Sequence, residues 1–382
     1  MEINQIDALK NLSVVIPTFR RPEFIERAIQ YWNQLPVKVF IVDGSDESMY
    51  RSGKLIPNTE IFYLHVPQGQ KSVNENFHER WMIAASLPET TYSVMCADDD
   101  FLSPSALVEV ICLMNMNPEI SAVVGHTVYY RNQESKDTIW SFEKKRRYSL
   151  AASHSTIEDR IFGSDLRLMY AVMRTSKFKR IFHLAHEKVY SHPHVAEFLV
   201  FELARMFCQT VTINHVLSFR RSFQTSLPDF WATHELSFAD WWKSSNNKPE
   251  VALVRNTLRN GITECDVVAS RLKIRRLTKK FPTSSWLYPK RSLSKFSVIL
   301  ELIIRIIQKV PRPLYQICRQ IVPSSIRFTL ESRREMSSTQ GGPRLGVESG
   351  TLSQFSMSLR KNKILVDDRD FQRVQEAISF DI

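Results

Sequence analysis

The sequence predicts an α/β fold, with a doubly wound, mostly parallel sheet flanked by helices and a basic helical C-terminal extension. Over the first 130 residues, short β-branched runs alternate with segments of helical period, which is typical of successive βαβ units. Polar and acidic residues directly follow several of these runs, and parallel sheets bind ligands at the carboxyl ends of their strands. A hydrophobic content of 43% is ordinary for a globular protein.

The regular elements of this first half can be taken in order. The predicted strands are 12–17, 37–45, 60–66, 91–97 and 120–130. The predicted helices between them are 21–35, 71–87 and 103–117. Pro22 stands at a favourable first helical position, and Ser103 precedes Pro104 as a candidate N-cap. This order predicts right-handed crossovers within one sheet.

The next region is less regular. It predicts a strand running into a helix over 165–178, a helix over 194–207 and a strand over 209–221. Aromatic residues crowd 223–242, and we expect most of them to be core residues, since large aromatic side chains dominate protein cores. We therefore predict a domain over 1–245, a basic helical extension over 246–335, and a flexible linker and tail over 336–382, with a short helix at the end of the chain.

The net charge of +11 is concentrated in one segment. Residues 271–334 hold sixteen Lys and Arg against two acids, a local charge of +14, so the rest of the chain is slightly negative. Within this segment, 295–310 predicts a helix with a wide apolar face, which suits the surface of an anionic membrane. Packing on the rest of the protein or on a second copy, and a solvated charged face, are the open alternatives. No nucleic-acid-binding module is recognisable.

The compartment is indicated by cysteines and hydropathy. None of the five cysteines forms a CxxC pair, so we expect reduced thiols and no disulfide framework. The N-terminus does not resemble a signal peptide, and no run of about 18 apolar residues indicates a spanning helix. We expect a cytoplasmic protein, with peripheral attachment to the inner face of the membrane through 271–334.

The segment MCADDDF, residues 95–101, places three acids directly after an apolar run. Neighbouring carboxylates repel, but a divalent cation such as Mg²⁺ or Mn²⁺ would neutralise them, and such cations are held by one or two carboxylates together with phosphate oxygens. We therefore expect Asp100 and Asp98 to be metal ligands that serve a diphosphate. Acids that cap the following helix, or that lie solvated in a loop, are the alternatives.

Three motifs together resemble a known family. SVVIPTFRRPEFIERAIQYW, FIVDGSDE and MCADDDFLSP occur, in this order and spacing, in a way similar to family 2-like glycosyltransferases of the GT-A fold. The resemblance covers residues 12–130 well and extends weakly to about 225, but it does not cover 245–382. It implies a nucleoside-diphosphate-sugar donor, a sugar or lipid-linked acceptor, and Mn²⁺ or Mg²⁺ as cofactor.

The resemblance also implies roles for individual residues at the strand ends. The donor-binding set is Pro17, Thr18 and Arg20 after the first strand, Asp43 after the second, Lys71 before the second helix, and Asp98 and Asp99 after the fourth. Asp100 occupies the last place of the family's D-x-D motif, that of the principal metal ligand. Phe19 and the segment 69–74 depart from the family pattern, which weakens the assignment of Lys71.

An inverting transferase needs a carboxylate that removes the proton of the acceptor hydroxyl. Glu197, in the first turn of the helix over 194–207, is the candidate, although an acid is also favourable there because of the helix dipole. Asp165 is the weaker candidate, and Glu202 is expected to pack or to pair with Arg205.

Other polar residues near these elements have two interpretations each. The histidines at 192 and 194 are expected to be surface or capping residues and not metal ligands. Arg220 and Arg221 either bind a diphosphate or end an exposed strand. The aromatic residues at 230–242 are expected to be core residues, and stacking on a sugar of the acceptor is the less favoured interpretation.

The expected function is thus metal-dependent, inverting sugar transfer to a hydroxyl acceptor in the synthesis of a surface polysaccharide or glycoconjugate. A phosphotransferase of the haloacid-dehalogenase type also uses D-x-D, but it wants Thr or Val where Leu102 stands. A membrane-bound scaffold that retains a non-catalytic transferase domain is the third alternative, and the acids at 98–100 argue against it.

Overall fold

The computed structural model describes Ser356, Leu359 and the ranges 7–48, 60–132, 138–142, 168–192, 194–221, 238–265 and 364–379. The basic segment 271–334, the helix predicted over 295–310 and the candidate Asp165 lie outside these residues. Among the described helices, none combines the length and the apolar character needed to cross a bilayer.

The described strands form one nine-stranded sheet. They are β1 Leu12–Thr18, β2 Lys38–Asp43, β3 Ile61–His65, β4 Tyr92–Met95, β5 Phe101–Leu102, β6 Ala122–Asn132, β7 Thr138–Phe142, β8 Val172–Arg174 and β9 Thr210–Arg221. The spatial order is β3-β2-β1-β4-β8-β6-β9-β5, and β7 pairs with β6.

Eight helices are described on the two faces of this sheet and beside it. They are α1 Pro22–Trp32, α2 Val73–Ser86, α3 Pro104–Met116, α4 Thr175–His186, α5 His194–Phe207, α6 Phe238–Lys243, α7 Lys248–Cys265 and α8 Asp368–Ser379. Short 3-10 helices occur at Asp7–Asn11, Leu168–Tyr170 and Ser245–Asn247.

The α/β class and the doubly wound arrangement predicted from the sequence are confirmed. Strands β3, β2, β1 and β4 pair in parallel, and β6 pairs in parallel with β9. The sheet is more mixed than predicted, because β8, β7 and β5 all pair antiparallel with their neighbours. Strand β5, with two residues, is too short to give a periodic signal in the sequence.

Side chains of the central strands alternate between two apolar layers, as the pleat requires. Val14 and Ile16 of β1 face one layer, and Val15 faces the other. The first layer contains α1, α3 and α8, and the second contains α2 and α4 to α7. Since full burial of one such side chain contributes about 1.5–3 kcal/mol, these two layers supply most of the stability of the domain.

The helix starts follow local sequence rules. Pro22 occupies the first turn of α1, and the Oγ of Ser103 accepts a hydrogen bond from the Ala106 N–H at the start of α3, as predicted. Ser72 and Glu75 form a reciprocal capping box at the start of α2. These caps set where each helix leaves the sheet, and therefore where the loops after β1 and β4 lie.

The C-terminal end of the chain forms a helix that packs in the core. A flexible linker and a tail with a short closing helix were expected over 336–382; α8 is such a helix, but with Phe371 fully buried it belongs to the core and not to a tail. Leu365 lies beside β9, where its N–H donates to the Asn214 carbonyl at 2.8 Å and its carbonyl accepts from the Val216 N–H at 3.0 Å. Burial of the apolar face of α8 explains the difference. Helix α7, from the predicted extension, likewise packs in the second layer.

Candidate functional site

The loops that follow β1 and β4 meet at one edge of the sheet. Thr18 Oγ1 donates a buried hydrogen bond of 2.7 Å to Asp98 Oδ2. The N–H of Gly44, directly after β2, donates to the Thr18 carbonyl at 3.0 Å. Because the three parallel strands β2, β1 and β4 are neighbours, their carboxyl ends and the loops after them lie side by side at this edge of the sheet, which we call the cleft. The structure thus brings together Thr18, Asp43 and Asp98, as the sequence predicted.

Asp43 is fully buried at the end of β2 and is held rigidly. Its Oδ1 accepts from the Ser45 N–H at 2.9 Å and from the Ser45 hydroxyl at 2.6 Å, while its Oδ2 accepts from the Tyr63 hydroxyl at 2.5 Å. The Ser45 carbonyl in turn lies 2.9 Å from His65 Nε2. A carboxylate held by this many donors keeps a fixed direction, which suits recognition of a ligand that lies across the strand ends.

Arg20 adopts a backbone conformation that is uncommon for a residue with a side chain. Its φ is 55°, in the left-handed region. The conformation is held by its N–H, which donates to the Ser45 hydroxyl at 2.7 Å, and by an ion pair of 2.6 Å to Asp46. Such strain costs of order 1 kcal/mol or more and clusters at functional sites. The backbone of the exposed Arg20 is therefore fixed in the loop after β1 and does not continue into the helical conformation of α1.

Arg21 neutralises the first two of the three consecutive acids. Its Nη1 lies 2.9 Å from Asp98 Oδ1 and 3.3 Å from Asp99 Oδ2. Burial, reinforced by the neighbouring Asp99, raises the pKa of Asp98, and the charge of Arg21 opposes this increase. The sequence showed a double arginine after β1, but only Arg20 had been assigned to the site. Arg21 is thus a site residue that sequence reasoning missed.

Asp100 is held from the far side of the cleft by the end of β9. Arg220 Nε donates to its Oδ2 at 3.0 Å, and the Arg221 N–H donates to its Oδ1, also at 3.0 Å. The residue is only 5% exposed. Burial raises the pKa of Asp100 to about 6, although Arg220 opposes the shift. Of the two interpretations of Arg220, the exposed strand end is therefore wrong, because its guanidinium is turned inward onto an acid.

Arg80 is a second site residue that the sequence did not reveal. It lies on α2, is buried, and donates from Nη1 to the Asn76 side chain at 2.8 Å. Burial lowers the pKa of its guanidinium to about 10, and the charges of Asp98 and Asp43 oppose this decrease. A Cβ on Gly44 would lie 2.3 Å from Arg80 Nη1, so a side chain at this position would displace the guanidinium of Arg80. The sequence contained one sign of this placement: Arg80 follows Asn76 by four residues, so both side chains lie on the same face of the predicted helix.

Glu197 lies in the first turn of α5, as predicted, and is 34% exposed, so solvent reaches its carboxylate. Its Oε2 is 3.1 Å from Nδ1 of His194. Burial raises the pKa of the Tyr170 phenol; Arg220 opposes this increase, and the carboxylates of Asp100 and Glu197 reinforce it. Tyr170 is thus within electrostatic reach of both acids.

The remaining predicted residues have varied positions. Pro17 is buried within β1, and Lys71 is an exposed residue whose ammonium pairs with Glu79. None of the hydrogen bonds and ion pairs described for Lys71 joins it to another predicted donor-binding residue. Glu202 pairs with Arg205 at 3.0 Å inside the core, as expected.

The histidines and aromatic residues near α5 are mainly structural. His192 is buried, and its Nδ1 accepts from the His194 N–H at 3.2 Å, so it caps α5 and is not a surface residue. Phe238, Trp241 and Trp242 are buried in the second apolar layer, which agrees with the core interpretation. The aromatic residues at 230–237 lie outside the described part of the chain.

The carboxylates do not fit a divalent cation as they are arranged. All four oxygens of Asp98 and Asp100 already accept hydrogen bonds, and each acid has an arginine nitrogen within 3.0 Å. Two unit charges about 4 Å apart repel by about 4 kcal/mol at an effective dielectric constant of 20, so a cation on Asp100 would be opposed by Arg220. Within the described residues, no group of three His, Cys, Asp or Glu is arranged to hold a metal ion.

Comparison with known proteins gives only a distant likeness. A scan against protein-family models matches no family, and a search of curated proteins finds no relative. Among solved structures, the chain is similar to S. aureus TarS 1-349 in complex with UDP, at 11% identity and a TM-score of 0.45, over 89% of this chain and 97% of that chain. The complex of TarS 1-349 with UDP-GlcNAc gives the same values.

A longer crystal structure of S. aureus TarS is 12% identical, with a TM-score of 0.45, over 85% of this chain and 52% of that chain. UDP and UDP-GlcNAc are the ligands of the two complexes of TarS 1-349. A likeness at this level assigns neither of them to the present chain.

Proposed function

We propose that this protein transfers a sugar from a nucleoside-diphosphate-sugar donor to a hydroxyl acceptor, with inversion at the anomeric carbon. The observation that carries the proposal is the buried hydrogen bond between Thr18 and Asp98, which joins the ends of β1 and β4 beside the rigid Asp43. Ligands of doubly wound sheets bind at such strand ends. This cleft combines fixed acceptors for hydroxyl and N–H groups with several arginines.

The donor side of the cleft has the chemistry that a nucleoside diphosphate requires. Asp98 accepts one hydrogen bond on each oxygen, from Thr18 and from Arg21, so each oxygen retains one acceptor site that a neutral ribose hydroxyl can use, and Asp43 lies at the neighbouring strand end. The guanidinium groups of Arg21 and Arg220, each fixed by an aspartate, offer the paired N–H donors that match phosphate oxygens. A cleft with both features favours a nucleotide over a simple sugar or a lone phosphate.

The acceptor side is assigned to Glu197. In the proposed step, its carboxylate takes the proton of the acceptor hydroxyl as that oxygen bonds to the anomeric carbon. The bond from the anomeric carbon to the diphosphate oxygen breaks, and its electron pair leaves with the nucleoside diphosphate. One displacement on the opposite face of the sugar inverts its configuration. Partial exposure of Glu197 leaves room for an acceptor to approach.

The first test is donor binding. A thermal-shift screen of nucleoside-diphosphate sugars against the full chain should show that one donor stabilises the protein, since a ligand that binds only the folded state raises its melting temperature. Asp43→Asn should abolish that stabilisation. Asp367→Asn, which removes one partner of a surface ion pair with Arg369, is the matched control and should leave it unchanged.

Catalysis is tested with Glu197→Gln. General-base catalysis contributes about 10²–10⁴-fold, so kcat for release of the nucleoside diphosphate should fall by that factor, while donor affinity changes little. Glu264→Gln alters a surface pair with Arg180 and should retain full activity. A screen in which no donor stabilises the chain would overturn the proposal and favour a non-catalytic domain.

The wider setting proposed from the sequence remains a separate prediction. Synthesis of a surface polysaccharide or glycoconjugate, and attachment to an anionic membrane, both depend on the basic segment 271–334, which lies outside the described residues. Binding of the full chain to vesicles that contain about 30% anionic lipid, compared with neutral vesicles, measures the membrane part of this prediction directly.

A further inference from the structure

We propose that this cleft binds the diphosphate of its donor through arginine side chains, without a divalent cation, and that Asp98 and Asp100 are positioning residues for those arginines. The inference rests on the proposed function, because it concerns how the same donor is held. It assigns the three consecutive acids a role that differs from the metal ligation expected from the sequence.

The first step is the bonding of Asp100. Its two oxygens accept from the Arg220 side chain and the Arg221 backbone, two N–H donors that come from adjacent residues of the same strand. This is a typical arrangement for a carboxylate that orients a guanidinium. Asp98 repeats it, with Thr18 on one oxygen and Arg21 on the other.

The second step is the direction of Arg220. The side chain uses Nε for Asp100, and its Nη2 lies 3.4 Å from the Tyr170 hydroxyl. Within the described part of the chain, its Nη1 makes no hydrogen bond. Its guanidinium carbon also lies 4.4 Å from the centroid of the Tyr170 ring, so the ring fixes the plane of the fork. With Nε bound to Asp100, the opposite edge of the guanidinium retains N–H donors for two phosphate oxygens.

The third step is charge. Arg21 and Arg220 hold the acids from opposite sides, and the buried Arg80 adds a third guanidinium within electrostatic reach of Asp98 and Asp43. A cation that approaches Asp100 is repelled by Arg220, whereas a diphosphate that approaches the same guanidinium is attracted. The bonding and the charge distribution therefore both favour a diphosphate over a metal ion at this place.

The inference is tested by calorimetric titration of the full chain with UDP, GDP, CDP, ADP and dTDP, in EDTA and again in excess Mn²⁺. We expect one of them to bind with a Kd that differs by less than about threefold between the two buffers. In parallel, electron paramagnetic resonance with Mn²⁺ alone measures metal bound to the protein. The wild type and Asp100→Asn should bind the same amount of Mn²⁺, because Asp100 is not a metal ligand.

The positioning role is tested by a double-mutant cycle on nucleotide affinity. Arg220→Lys keeps the positive charge but removes the planar guanidinium, and Asp100→Asn removes the carboxylate that orients it. Each single substitution should weaken nucleotide binding by about tenfold. The double variant should bind only a little more weakly than either single variant. Arg180→Lys alters a guanidinium–carboxylate pair outside the cleft and should change nothing. If Asp100→Asn does not fold, the inference is tested by comparing the nucleotide affinity in EDTA with that in Mn²⁺ for the wild type and for Arg220→Lys.

The outcomes separate this inference from the proposed function. A nucleotide that binds at least about tenfold more tightly with Mn²⁺, with the gain lost in Asp100→Asn, overturns the inference and leaves the proposed function standing. Independent effects of the two substitutions overturn the positioning role. If no nucleotide binds in either buffer, the proposed function fails and this inference fails with it.

Discussion

Two regions on either side of the short strand β5 each bury an aspartate, and they neutralise it by different means. On one side, the cleft holds Asp100 through Arg220 and a backbone N–H. On the other, the C-terminal anchor, residues 364–379, inserts Asp370 beside the start of α3, where it accepts hydrogen bonds from the Ser103 and Ser105 hydroxyls. Burial raises the pKa of both carboxylates.

The difference teaches which buried acid can serve a ligand. Asp370 is bonded by neutral groups at a helix N-terminus, where a carboxylate is stabilised by the backbone N–H groups and by the helix dipole. A hydroxyl or a backbone N–H carries a single hydrogen, so a donor bonded to Asp370 has no further hydrogen for a ligand. Arg220, by contrast, is a charged donor with N–H groups to spare, and it can hold an acid and an anion together. The anchor is therefore structural, and the cleft is suited to binding.

The largest effect is expected in the anchor. Phe371→Ala removes a fully buried ring that lies 5.0 Å from Trp140 and 4.9 Å from Phe219, measured between ring centroids. Substitutions of this kind cost about 3–5 kcal/mol, to be measured as the free energy of unfolding in urea. Met116→Ala, at a site 73% exposed, is the control and should cost less than about 0.5 kcal/mol. Equal effects of the two would show that α8 is not part of the core.

A second effect concerns pH. Burial lowers the pKa of His78 from 6.5 to about 4, so between these values the unfolded chain binds more protons than the folded protein. The contribution of His78 to stability should therefore fall by about 3 kcal/mol as the pH decreases through this window, and His186, whose pKa is also lowered by burial, adds a loss of the same sign. Asp100, Glu202 and Asp370 have the opposite sign: their raised pKa values give contributions that are present at low pH and are lost as the pH rises.

Chemical unfolding between pH 7 and pH 4 checks this expectation. His78→Gln should reduce the loss of stability without removing it, because His186 remains, while His183→Gln, at an exposed position on α4, should leave it unchanged. A slope that is the same in His78→Gln as in the wild type would show that another group titrates.

The smallest effect separates the two aspartates most directly. Asp370→Asn should destabilise the protein by about 1–3 kcal/mol, because a charged hydrogen-bond acceptor is lost from a buried site, and it should leave nucleotide affinity unchanged in the protein that remains folded. Asp100→Asn should instead weaken nucleotide binding. The two substitutions remove the same charge, so each is the control of the other. Loss of affinity in both would mean that the anchor also shapes the cleft.

Much of the first half of the fold was predictable, because β1, β2, β4 and their helices have clear periods and strong caps. The three acids and Thr18 were visible for the same reason: each follows a strand directly. Arg80 and Tyr170 were not predictable, since their approach to the cleft depends on how α2 and residues 168–170 pack against the sheet. Phe371, Val374 and Ile378 recur at helical spacing, in agreement with the short helix expected at the end of the chain, but the polar segment before them did not indicate that this helix packs in the core.

The position of Asp370 also constrains how the protein is made. The contact from Ser103 to Asp370 closes a separation of 267 residues. Contacts between distant residues form late, because the entropy of loop closure opposes them until the intervening chain is present. During synthesis, the apolar surface that receives α8 therefore remains uncovered until residue 379 has emerged from the ribosome. A nascent chain that stalls before this point would be a client for chaperones.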